Sequence, residues 1–94
     1  MKKIIYSQHL ILRLKIREIP YSLPKRIFQT SKENYFDRET LKKIIVEEIE
    51  FKGKYREIAV IYEETDEQIN LITIHPLKSD QKLSRIQSGR WQKI

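Results

Sequence analysis

Apolar residues in this chain recur first at helical spacing and later at strand spacing. Ile4, Ile5 and Tyr6 give residues 2–6 the β-branched and aromatic bulk of a short strand. Residues 8–18 contain neither glycine nor proline, and Pro20 blocks further helix, so a first helix is expected there with Ser7 as its N-cap. At about 100° per residue, Leu10, Ile11 and Leu14 form one apolar stripe and Leu12 and Ile16 a second. Between the stripes His9, Arg13 and Arg17 stand four apart on one ridge. A second helix starts near Ser22 or Leu23, with Pro24 in its first turn and Leu23, Ile27 and Phe28 on its buried face. Residues 29–34 read as its exit loop.

From Tyr35 onward the spacing shortens. Tyr35 and Phe36 predict a brief strand, and Asp37, Arg38 and Glu39 a turn. Residues 41–51 fit either rhythm: Leu41, Ile44, Ile45 and Ile49 make a helical stripe, whereas Leu41, Ile45, Ile49 and Phe51 share one face of a strand. We assign them to a strand, followed by a hairpin turn at Lys52-Gly53-Lys54. The continuous run Ile58-Ala59-Val60-Ile61-Tyr62 suits a strand covered on both faces. Residues 63–67 form a polar turn, and residues 68–75 a returning antiparallel strand. Strict alternation puts Ile69, Leu71, Thr73 and His75 on one face, with Ile72 and Ile74 on the other. Pro76 ends this strand. A last helix spans residues 79–88, with Ser79 as cap, Leu83 and Ile86 buried and Gly89 as its stop. The fold class is α+β, with the helices on one face of a small antiparallel sheet.

Composition narrows the function. A chain of 94 residues supports one domain, residues 1–94, around one modest core. Without cysteine it has no disulfide, thiolate zinc site or cysteine nucleophile, and the spacing of its two histidines suggests no metal site. No apolar run is long enough to span a membrane, and the N-terminus lacks the long apolar core of a signal peptide, so a cytoplasmic protein without membrane contact is expected. The net charge is +6 and unevenly spread. Residues 1–26 hold seven Lys/Arg against one Glu and residues 68–94 hold five against one Asp, while residues 27–67 hold seven against eleven Asp/Glu. If the two ends meet in space they form one basic surface, the footprint of a polyanion binder; otherwise the cations simply solvate exposed faces.

No phosphate-binding loop, dinucleotide fingerprint or nucleophile elbow is present. The remaining chemistry is that of a ribonuclease needing neither metal nor cofactor. Such an enzyme takes a proton from the 2'-hydroxyl, returns one to the leaving 5'-oxygen and stabilises a charged phosphorane. Histidine titrates near neutrality and the guanidinium fork matches phosphate oxygens. His9 and His75 are the proton-transfer candidates, joined by Arg56 and Arg85 in the catalytic set. Arg13, Arg17, Arg90 and Thr73 are the candidate RNA contacts. Plainer roles compete: Arg13 and Arg17 pairing with the acidic middle, His75 closing a strand end, Trp91 anchoring the tail.

Four segments, Tyr6-Ser7-Gln8-His9, Lys54-Tyr55-Arg56, Ile72-Thr73-Ile74-His75-Pro76 and Arg85-Ile86-Gln87-Ser88-Gly89-Arg90-Trp91, resemble a family of small prokaryotic proteins. That family looks like a distant branch of the RelE and BrnT toxin ribonucleases, within the barnase, EndoU, colicin and RelE fold. The resemblance implies two N-terminal helices on a mainly antiparallel sheet of about four strands, with a short C-terminal helix. It also implies cleavage of free or ribosome-bound RNA, neutralised by a small acidic antitoxin. His9, Arg56, Thr73, His75, Arg85 and Arg90 are the positions it nominates; the carboxylate base of some relatives has no counterpart. The alternative is a non-catalytic nucleic-acid-binding or protein-interaction module of the same fold.

Overall fold

A computed structural model describes residues 2–94. In chain order the elements are β1 (Lys3–Tyr6), α1 (Gln8–Ile16), α2 (Leu23–Thr30), β2 (Glu33–Asp37), β3 (Lys43–Phe51), β4 (Lys54–Glu64), β5 (Gln68–Pro76), α3 (Gln81–Gln87) and β6 (Trp91–Lys93). Ser7 caps α1 as expected, its Oγ accepting from the Leu10 N–H at 3.0 Å. The helix ends two residues earlier than the proline alone predicts. Glu18 turns left-handed (φ 55°), so that the Ile19 N–H donates to the Leu14 carbonyl and the Glu18 N–H to that of Lys15. This C-terminal motif leaves Ile19 and Leu14 together in the core.

Residues 43–51 are strand. β3 pairs with β4 from Lys43↔Tyr62 to Phe51↔Lys54, closed by Lys52 and Gly53, both at positive φ. That backbone is the twisted two-residue turn preferred by hairpins. The helix-like spacing of its isoleucines has a simple origin: both sheet faces are covered, so Ile45 enters one core while Ile44 and Val46 enter another.

The sheet differs from the expected one. Among the described residues it has six strands in the order β1-β5-β4-β3-β2-β6 and is mixed, not a mainly antiparallel sheet of about four strands. β1 lies parallel to β5, Lys3 opposite Gln68 through Tyr6 opposite Leu71. At the other edge the tail adds β6, antiparallel to β2. Trp91 is large and apolar, and it is buried only by zipping the tail onto β2, where its ring lies 5.7 Å from that of Tyr35.

The helices also divide between the faces. Leu10 and Leu14 of α1 and Leu23 and Ile27 of α2 pack with Ile45, Ile58, Val60, Tyr62, Leu71 and Ile74. The opposite face carries Tyr35, Ile44, Val46, Ala59, Leu77 and Trp91, and α3 follows Leu77 onto that side. Leu83 and Ile86, expected to be buried, are 52% and 38% exposed; α3 is held by Lys82, which bridges Glu33 at 2.8 Å and also Glu57. Its N-cap is Asp80 rather than Ser79. No helix among the described residues is long and apolar enough to cross a membrane.

Strict alternation fails within β5. The register runs Ile61↔Thr73, then Tyr62↔Leu71, leaving Ile72 as an extra residue in a bulge. Leu71 and Ile74 consequently enter the same core although three apart. Thr73 and His75 pair with Ile61 and Ala59, and so face the α3 side, away from Leu71. A bulge re-aims side chains in this way, and here it re-aims the two polar ones.

Candidate nucleic-acid interface

β1 covers β5 only as far as Leu71, so among the described residues the C-terminal half of β5 has no strand on that side. α1 takes its place. The Ser7 N–H donates to the Leu71 carbonyl at 2.9 Å, Ser7 Oγ to that of Ile72 at 2.7 Å, and Arg13 Nε to that of Ile74 at 3.1 Å. These bonds satisfy strand carbonyls that would otherwise lack partners. They also bring the arginines of α1 to the end of β5 where His75 stands.

His75 is partly buried, and Arg85 reaches toward it from α3 on the other side. Burial pushes the imidazole pKa below 6.5, and the charges of Arg13, Arg17 and Arg85 push it further in the same direction. Both effects favour the neutral ring, in which one nitrogen is an acceptor. No carboxylate among the described residues pairs with Arg13, Arg17 or Arg85. The expectation that Arg13 and Arg17 pair with the acidic middle is thus not met. Arg85 lines the same hollow as His75, whereas Arg13 and Arg17 line a separate hollow on α1 and act on the imidazole through their charge.

Thr73, His75, Arg85 and Arg90 line one hollow of about 300 Å³ between α3 and the sheet. Arg90 is already engaged: Nε and Nη2 donate to the two Asp37 oxygens at 3.0 and 3.1 Å, and Nη1 lies 3.4 Å from Glu39. Burial pushes the Asp37 carboxyl up, but the Arg90 hydrogen bonds and the backbone N–H of Glu39 outweigh it and hold the pKa at about 2. This pair fixes the wall of the hollow and leaves Arg90 little capacity for a phosphate.

The other two candidates stand apart. His9 is exposed and shares a shallow hollow of about 170 Å³ with Leu12, Arg13, Ile16 and Arg17, so His9 and His75 line different hollows, and Arg13 and Arg17 belong to that of His9. Arg56 is exposed, lies within 3.4 Å of the Leu77 carbonyl through Nη2, and shares a hollow with Glu48, Glu57 and Asp80. Sequence reasoning passed over Gln81 and Asp37, which line the His75 hollow; only the topology of α3 and β6 brings them there. Among the described residues no group of three or more His, Cys, Asp or Glu could hold a metal ion. Comparison with known protein families, characterised proteins and solved structures finds no match for this chain.

Proposed function

We propose that this protein binds RNA at His75 and cleaves it as a metal-independent endoribonuclease. The observation carrying this reading is the partly buried His75 that shares a hollow with Arg85 and lies in the field of Arg13 and Arg17, three arginines that no carboxylate among the described residues neutralises. A phosphodiester placed there meets Arg13 and Arg17 from α1 and Arg85 from α3. His75 takes the proton of the 2'-hydroxyl, the 2'-oxygen attacks phosphorus, and the arginines stabilise the charge on the equatorial oxygens. The bond to the 5'-oxygen breaks, a 2',3'-cyclic phosphate remains, and the leaving oxygen takes a proton from solvent. The motif resemblance to RelE and BrnT toxins supports a cytoplasmic toxin that acts on free or ribosome-bound RNA and is neutralised by a small acidic antitoxin docking on the same cations.

One observation favours a second reading, a non-catalytic RNA-binding module: His9, the other proton carrier, does not line the hollow of His75. Incubating labelled RNA with purified protein in EDTA, with and without ribosomes, separates the two. Cleavage is expected, is lost in His75→Ala, and slows as pH falls through the depressed His75 pKa because the base becomes protonated. RNA left intact in every condition, with binding that weakens steeply as salt rises, assigns the binding module instead.

A further inference from the structure

The hollow beside His75 is larger than a phosphate requires and is built differently from an anion site. Its floor is apolar, formed by Ile44, Ile61 and Ile72 on the α3 side of the sheet. Its polar rim is rich in donors. Gln81 Oε1 is occupied by the Lys78 N–H at 2.9 Å, which leaves the Gln81 amide NH₂ as the available group. Trp91 lines the same hollow, and its Nε1 is the one buried side-chain nitrogen or oxygen among the described residues that lacks a hydrogen-bond partner. Asp37, the carboxylate on this wall, has both oxygens committed to Arg90. An apolar floor accommodates the face of a ring, and donors on the rim pair with ring carbonyls.

We propose that this hollow is a nucleobase subsite for uracil, whose two carbonyl oxygens suit that rim, with the attached phosphate directed to Arg85 and His75. The proposal rests on the phosphodiester reading above and adds base selection to it. Cytosine presents an amino donor in place of the second carbonyl of uracil and a bare N3 in place of its N3–H, so the Gln81 amide donor that meets the second carbonyl of uracil meets an amino group in cytosine. Leaving one such group unpaired corresponds to about tenfold in affinity.

The test is a calorimetric titration with uridine 3'-monophosphate, cytidine 3'-monophosphate and inorganic phosphate, with tryptophan fluorescence recorded in parallel, since Trp91 is the sole tryptophan. Uridine 3'-monophosphate should bind about tenfold tighter than cytidine 3'-monophosphate and change the Trp91 emission. Thr73→Leu, which fills the hollow, and Gln81→Met, which removes the amide donor, should each erase the preference while phosphate still binds. Equal binding of the two nucleotides and of phosphate alone, all weakened by Arg17→Gln, overturns the uracil subsite and leaves the phosphodiester site standing. Binding of none of the three overturns both.

Discussion

Asp37 illustrates how one buried charge positions several others. It is 4% exposed, yet both oxygens are occupied by Arg90 and its Oδ1 also accepts from the Glu39 N–H at 2.9 Å. Its pKa falls from 3.8 to about 2, so its contribution to stability is full above the unfolded value and is lost as pH falls through the folded one. The contribution is about 2 kcal/mol. Asp37→Asn should therefore unfold more easily at neutral pH by roughly that amount and show a flatter dependence of stability on pH in the acid range. Denaturant titrations of both proteins at several pH values measure this. An Asp37→Asn protein as stable as the wild type at pH 7 contradicts the account of the wall.

Among the elements, α1 is tied to β5 through Ser7, which accepts from Leu10 and donates to Ile72. Ser7→Ala removes both bonds and should cost about 2 kcal/mol by chemical denaturation, whereas Ser7→Thr retains them. Ser7→Asp is the informative variant, because it restores the cap but has no proton for Ile72, so it should recover only part of the loss. Full recovery would place the whole effect in the cap.

How far the elements were legible follows from the same physics. Ser7, Pro20 and Pro24 marked the two N-terminal helices because caps and prolines act within a few residues of themselves. The polar turns at residues 52–54 and 63–67 marked the β3–β4–β5 meander for the same reason. Pairing of distant segments left no local trace: β1 beside β5 and β6 beside β2 are joined across most of the chain. The bulge at Ile72 was hidden because Ile72 is as apolar as the residues around it, and it alone decides which face Thr73 and His75 occupy. Of the candidate site, the ridge Arg13 and Arg17 could be read from helical spacing, while the engagement of Arg90 by Asp37 depends on the pairing of β6 with β2, and the place of Arg56 in another hollow on the register of β4 against β5.

At the scale of the whole molecule, charge is sorted by that topology. The acidic middle is neutralised in part from within and in part by the basic ends: Glu63 and Glu64 pair with Lys42, Lys43 and Lys2, and Glu33 and Glu57 with Lys82. Cations left over from the two basic ends converge on β5, Arg13 and Arg17 through α1 and Arg85 through α3. A neutral histidine lies where they meet. An anion bound at that point offsets their field and raises the imidazole pKa, while removal of any one arginine raises it in the free protein.

The most direct measurement is therefore the titration of His75 by NMR in the free protein, in Arg17→Gln, and with a non-cleavable 2'-deoxy dinucleotide. The site described here predicts a free pKa below 6.5, a higher value in Arg17→Gln, and a rise when the dinucleotide binds. A His75 that titrates at or above 6.5 in the free protein, or does not respond to the dinucleotide, would contradict it.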